Sequence, residues 1–327
     1  MNQVLSVSMR PRRFSELVGQ KAVITTIMNQ IASGRIPRSW MFHGPSGVGK
    51  TTIARIVALS MQGPMATFGE PSDDLLANAG DYAIHEINAS QVNGVDDLRR
   101  LAEESQYLPP PPSMKRVYIL DEAQRISDAA QNLLLKHFED TPESTVWIIC
   151  TTHPQKVLPT LRRRCFSLAV PPLSDIALTR LLKRAANAVG LQKPIKPLKE
   201  QLDLVGIYSP GLVLMAVERY ASGLSAQASV KTGDTELDSL RICRAFVRGD
   251  WPLIRKELKN AGPEDARMLR LAIMGYLRSI LLSDNPSIPP VRIAASLKAF
   301  AGPGPIEDPA YLSWVAALIY LESQKYK

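Results

Sequence analysis

Little in this chain of 327 residues could hold a disulfide or a cluster of soft metal ligands. There are only three cysteines, Cys150, Cys165 and Cys243, and no two form a C-x-x-C pair. Cys150 and Cys165 lie in apolar runs and read as small buried hydrophobes in a reducing compartment. The four histidines, His43, His85, His137 and His153, show no ligand spacing, so no zinc is expected. No apolar run reaches the length of a membrane span, and residues 1–14 lack the apolar centre of a signal peptide. The expected location is cytoplasmic. Acidic residues are outnumbered, 31 against 39 basic ones, for a net charge of +8. Such an excess suits a polyanion, with nucleic acid the usual candidate, although a generally basic surface without that partner carries the same charge.

What is present is dominated by Gly44-Pro45-Ser46-Gly47-Val48-Gly49-Lys50-Thr51, which fits the phosphate-loop pattern G-x-x-x-x-G-K-[ST] in full. Its glycines let successive N–H groups turn inward toward phosphate oxygens. Lys50 adds charge at the β and γ phosphates, and the Thr51 hydroxyl is placed to ligate Mg²⁺. Trp40-Met41-Phe42 reads as a buried strand entering the loop. Thr51 to Met61, running on through Thr52-Ile53-Ala54-Arg55, reads as a helix leaving it, its N-terminus toward the anion.

About seventy residues later, Arg116-Val117-Tyr118-Ile119-Leu120-Asp121-Glu122 forms an apolar strand ending in two carboxylates. Opposite a phosphate-loop lysine, Asp121 would hold Mg²⁺ through water and Glu122 would polarise the attacking water. Between the two motifs, 63–80 reads as an irregular connector, 83–88 as a strand and 95–106 as a helix. Ahead of them, a helix over 21–33 presents Val23, Ile27 and Ile31. Ser127 caps a helix through Phe138, and Val146 to Thr152 is a buried strand ending in hydroxyls. Leu161-Arg162-Arg163-Arg164-Cys165 precedes a last strand, 166–170. Its arginines could be solvated, face DNA or reach a neighbouring subunit's phosphates, and spacing does not choose.

Pro171-Pro172 marks a boundary after which the strands stop. Helices are expected from 174, near 199–208 and over 211–221, then a linker over 222–234. Five helical segments follow: 236–247, 250–260, 264–283, 290–301 and 309–326. The third carries Leu269, Leu271, Ile273, Tyr276, Leu277, Ile280 and Leu281 around much of its circumference, so burial on several sides is expected.

With these residues in place, the chain resembles the ATPase subunits of sliding-clamp loaders of the AAA+ class. The bacterial polymerase III gamma/tau subunits are nearest, the replication factor C subunits next. The likeness runs through Arg10-Pro11, Phe14, Val18-Gly19-Gln20, the phosphate loop, Glu86-Ile87-Asn88-Ala89-Ser90 and Asp121-Glu122. It continues through Leu134-Leu135-Lys136, Thr151-Thr152-His153-Pro154-Gln155-Lys156 and Arg164-Cys165. It implies an α/β AAA+ domain with a parallel sheet over 1–172, a small helical lid over 173–224 and an all-helical collar over 235–327. It also implies ATP and Mg²⁺ as ligands. Arg10, Pro11 and Val18 would lie near the adenine, Thr152 would contact the γ-phosphate, and Arg164 would reach into the adjacent subunit's ATP. Asn88 matches a position that restrains the catalytic glutamate.

The sequence also departs from the family. Arg163 stands where the family has serine before its arginine, leaving the finger open between Arg163 and Arg164. Leu214 replaces a second-sensor arginine, and the four-cysteine zinc module is absent. The compact form resembles virus-encoded or gamma-like subunits. The resemblance implies a replisome protein loading a ring-shaped sliding clamp at primer–template DNA, within a ring expected to hold five clamp-loader subunits. Arg99, Arg100 and Lys136 are candidate DNA phosphate contacts, although Arg99 and Arg100 equally suit a solvated helix face. Two other readings share the core: a scaffold subunit holding ATP structurally, and a different AAA+ motor for branch migration or helicase loading.

Overall fold

The computed structural model describes residues 4–34, 36–62, 69–89, 95–205, 207–230, 239–258, 263–281, 289–301 and 318–322. The chain divides into two compact units, 1–181 with 209–211, and 182–208 with 212–327. In order, the first unit carries α1 (Leu5–Ser8), α2 (Lys21–Ala32), β1 (Ser39–His43), α3 (Lys50–Ser60), α4 (Asp73–Ala77) and β2 (Ile84–Asn88). It continues with α5 (Val95–Glu104), β3 (Arg116–Asp121), α6 (Asp128–Glu139), β4 (Thr145–Thr151), α7 (Pro159–Arg164) and β5 (Phe166–Ala169).

The five strands form one parallel sheet in the order β2-β3-β4-β1-β5. Parallel strands need crossover helices, which cover both faces and make the inner strands β1, β3 and β4 near-continuously apolar, while the edge strands β2 and β5 alternate. The two-residue period of a strand then sorts those side chains. Trp40, Phe42, Val117, Ile119, Val146, Ile148 and Cys150 share one core with Val23, Ile27 and Ile31 of α2 and Ile53, Ile56 and Val57 of α3. Met41, Tyr118, Leu120, Trp147 and Ile149 share the other with Leu98 of α5, Leu134 and Phe138 of α6, and Leu161 of α7. On that second face the rings of His85, Tyr118, Trp147 and Phe138 stack in series across three strands and α6, at centroid spacings of 5.1, 4.5 and 5.2 Å.

The division between units falls within α8 (Asp175–Ala188). Beyond it come α9 (Lys196–Val205), α10 (Pro210–Ala221), α11 (Ala226–Ser229), α12 (Ser239–Arg248), α13 (Trp251–Leu258), α14 (Pro263–Leu281) and α15 (Pro290–Ala301). Ile242, Phe246, Ile254, Leu269, Ile273, Leu277, Ile293 and Phe300 build the second unit's core. Along α14 the fully buried positions Leu269, Ala272, Ile273 and Leu277 form one helical stripe, whereas Leu271 is 50% exposed. The expected burial on several sides holds for the other named residues, since Tyr276, Ile280 and Leu281 pack partly buried against the same core and α14 contacts α9, α12 and α15.

Several boundaries differ from the sequence expectation. The connector expected over 63–80 contains α4, whose start is set by the Ser72 hydroxyl accepting from Leu75 N and by Asp73 and Asp74 in the first turn. The linker expected over 222–234 contains α11, capped the same way by Ser225. The helix expected near 199–208 begins earlier, at Lys196. Ser90, residues 63–68 and 231–234, and most of the last expected helix, 309–326, lie outside the described residues.

Candidate active site

The sheet order decides what can meet at its C-terminal edge. Because β4 lies between β1 and β3, the ends of β1 and β3 flank the end of β4, and a crevice opens there. The phosphate loop leaves β1 after His43, Asp121-Glu122 closes β3, and Thr151-Thr152 closes β4.

The loop is held open by glycine where no other residue fits. Gly44 has φ +152°, and a Cβ there would come 2.2 Å from the Val170 carbonyl oxygen. Gly47 and Gly49 have φ +73° and +98°. Pro45, Ser46 and Gly47 are exposed, Val48 is buried as a plug, and Thr52 is half-buried behind Thr51. Lys50 is buried, and its Nζ donates to the carbonyls of Gly44, at 3.0 Å, and Pro45, at 2.8 Å. Burial lowers its pKa, partly offset by the anionic forms of Cys150, Glu122 and Asp121. Thr51 Oγ1 donates to Asp121 Oδ2 at 2.9 Å, so the two expected metal ligands already touch.

Glu122 sits in the left-handed region, φ +53°, which is uncommon for a residue other than glycine. Its N–H donates back to Asp121 Oδ1 at 3.0 Å. Gln124 Nε2 donates to Glu122 Oε2. The Gln124 amide oxygen accepts from Thr151 Oγ1 at 2.7 Å and from Thr152 N at 3.2 Å. Thr152 Oγ1 itself lies 2.9 Å from His153 Nδ1. Asn88 is in register with Asp121 on the neighbouring strand. Gln124 and Thr151 join this network unforeseen. The amide two places beyond Glu122 was the only sequence signal for Gln124, and polar residues at such positions are commonplace.

Other expected site residues disperse. Val18 lies in a segment pinned by Gly19, where a Cβ would come 3.1 Å from Leu173, and by Gln20 Nε2 donating to Pro171 O at 2.5 Å. Since Gly44 packs on Val170, this segment adjoins the start of the phosphate loop. Arg10 and Pro11 instead line a cavity of about 330 Å³ with Arg55, Ile56, Leu59, Ile84 and Glu86, and no phosphate-loop residue lines it. Arg55 and Glu86, both lining it, form a two-point ion pair at 2.5 and 2.6 Å, joining α3 to β2. Arg164 ends α7, where it pairs with Glu139 of α6 and donates to Thr160 O at 2.9 Å, while Arg163 is exposed. Arg99 and Arg100 are exposed on α5, and Lys136 is exposed on α6, which packs against α5. Leu214 is buried on α10. Sequence reasoning also missed Ser209, which is 9% exposed, has no partner for its hydroxyl among the described residues and lies against Gly47. Gly211 N donates to Gly47 O at 3.3 Å.

Residues 19–174 match the family described as DNA polymerase III, delta subunit. The DNA polymerase III subunit gamma/tau of Mycobacterium tuberculosis is 39% identical over 189 residues, 56% of this chain and 32% of that protein. The subunit tau of Escherichia coli is 34% identical over 190 residues, 57% of this chain and 29% of that protein. The subunit gamma of Buchnera aphidicola is 31% identical over 200 residues, 60% of this chain and 54% of that protein. Residues 19–174, just under half of the chain, are thus similar to bacterial DNA polymerase III clamp-loader subunits. The chain spans between about a third and a half of the length of these clamp-loader relatives. Its fold is AAA+: a solved RuvB variant of Thermotoga maritima superposes with a TM-score of 0.53 at 18% identity, covering 85% of this chain and 94% of that one. No helix among the described residues is long and apolar enough to cross a membrane.

Proposed function

We propose that the chain is an ATP-hydrolysing clamp-loader subunit, which uses nucleotide binding and hydrolysis to load a ring-shaped sliding clamp at primer–template DNA. The observation that carries this reading is the convergence of Lys50, Thr51, Asp121, Glu122 and the end of β4 on one crevice. The residues fit Mg²⁺·ATP. The glycine loop has backbone conformations and clearances a side chain would abolish, and Lys50 rests on two carbonyls that a phosphate could replace. Thr51 and Asp121 supply two hard oxygen ligands, leaving the rest of an octahedron to phosphate and water. The metal would neutralise charge developing on the phosphates. Glu122 would take the proton of the attacking water and Lys50 would hold the transferred phosphoryl group.

The arginine finger is assigned to Arg164 acting on a neighbouring subunit. Phe166 pairs with Trp40 near the start of β1, whereas the phosphate loop follows His43 at its end. Arg164 therefore sits at the opposite end of the strands from its own loop, on the order of 10 Å away at 3.3 Å per residue. Arg99, Arg100 and Lys136 are proposed DNA phosphate contacts, and the division into nucleotide domain, lid and collar is proposed on the same grounds. The test is ATP hydrolysis by the chain assembled with its partner subunits, with and without primed DNA and the cognate clamp. Stimulation by both supports the reading, and bound but unhydrolysed ATP in every condition favours a scaffold.

A further inference from the structure

The amide of Gln124 touches both the Glu122 carboxylate and the end of β4. Its orientation follows from chemistry. A backbone N–H can only donate, so the atom facing Thr152 N must be the amide oxygen. The same oxygen accepts from Thr151 Oγ1, whose own lone pair is used by His153 N at 3.1 Å. The Nε2 group then necessarily faces Glu122, whose ionised carboxylate can only accept. Glu122 is also held in a left-handed backbone conformation by Asp121 Oδ1. Two independent restraints, one on backbone and one on side chain, thus act on the same residue. A strained conformation at a functional carboxylate persists only when its surroundings over-determine it.

We propose that Gln124 is a positioning residue, which fixes the Glu122 carboxylate relative to Thr151-Thr152 so that the proton acceptor moves with the strand end facing the nucleotide. This rests on the reading of Glu122 as the residue that activates water. Both ends of the amide are needed. Glutamate has the same length and shape but puts a carboxylate against Glu122 and loses the donor. Methionine fills similar space and offers neither group.

In the assembled complex, Gln124→Met should lower kcat about a hundredfold, the scale on which small misplacements act, with KM for ATP and binding of a fluorescent ATP analogue unchanged. Gln124→Glu should fall at least as far despite its shape. In the Glu122→Gln background, adding Gln124→Met should cause no further loss, because the residue acts through Glu122. A normal kcat in both variants overturns the proposal, as does a rise in KM without a fall in kcat. So does a full additional loss on top of Glu122→Gln. If Glu122→Gln itself turns over normally, the failure lies in the reading of Glu122 instead.

Discussion

At Thr51 and Asp121 the hydroxyl-to-carboxylate bond of 2.9 Å places two oxygens where one hard cation can take both. Glu122, next in the chain, points elsewhere, to Gln124. The proposed split of the two adjacent carboxylates into a ligand and a proton acceptor sets the first expectation. Glu122→Gln should bind ATP normally and hydrolyse it at a small fraction of the wild-type rate, whereas Lys50→Ala should lose affinity itself. Titration with a fluorescent nucleotide beside a phosphate-release assay separates the two, and normal turnover by Glu122→Gln would remove it from the role. Lys50, Thr51, Asp121 and Glu122 were legible because a contiguous motif encodes each. Gln124 and Ser209 were not, since their meaning comes only from chain segments brought together by the fold: Ser209 from a different stretch altogether, Gln124 from the end of β4.

Among the elements, the strands were the most legible, because a parallel sheet buried on both faces demands unbroken apolar runs. The short helices α4 and α11 escaped, as each depends on a single serine cap inside otherwise loop-like sequence. The central strand β4 carries Trp147, fully buried between Tyr118 and Phe138. Trp147→Ala should cost about 3–5 kcal/mol of stability, read as an earlier midpoint in denaturant unfolding of the first unit's signal. A midpoint within error of wild type would contradict the packing.

Histidines on these elements set a pH dependence. Burial lowers the pKa of His43, reinforced by Lys50. Burial also lowers His85, opposed by Glu104 and aided by Arg116. At His137 burial and Lys136 outweigh Glu103 and Asp140. Below the unfolded value of 6.5 the unfolded chain binds more protons than the folded one. Their contribution is therefore present above that pH and is lost as pH falls through the folded values. Replacing His85 and His137 with glutamine should flatten the stability slope just below pH 6.5, and an unchanged slope would show that other groups set it.

For the whole molecule, the position of Arg164 near the start of β1, at the far end of the strand from its own loop, favours the proposed composite site. Arg164→Ala should leave ATP binding to the isolated chain intact and lower stimulated turnover by about 10³–10⁵, the scale of a missing arginine finger. Mixing it with Lys50→Ala chains should restore some activity through interfaces that pair an intact lysine with an intact arginine. A dead mixture that still assembles would return Arg164 to a structural role, and loss on Arg163→Ala alone would move the finger there. The basic excess belongs to this scale too. Neutralising one phosphate contact releases about one fewer counterion, so the Arg99→Ala/Arg100→Ala pair should shallow the salt dependence of DNA binding by about two, and an unchanged slope would mark a solvated face.

The claim on which all of this rests is that the crevice hydrolyses ATP in response to clamp and DNA together. Steady-state phosphate release by the assembled complex, with primed DNA and the cognate sliding clamp added separately and jointly, measures it most directly. The expected result is a rate raised most by the joint addition and abolished by Glu122→Gln. ATP bound at full occupancy with no release under any of the four conditions would contradict it.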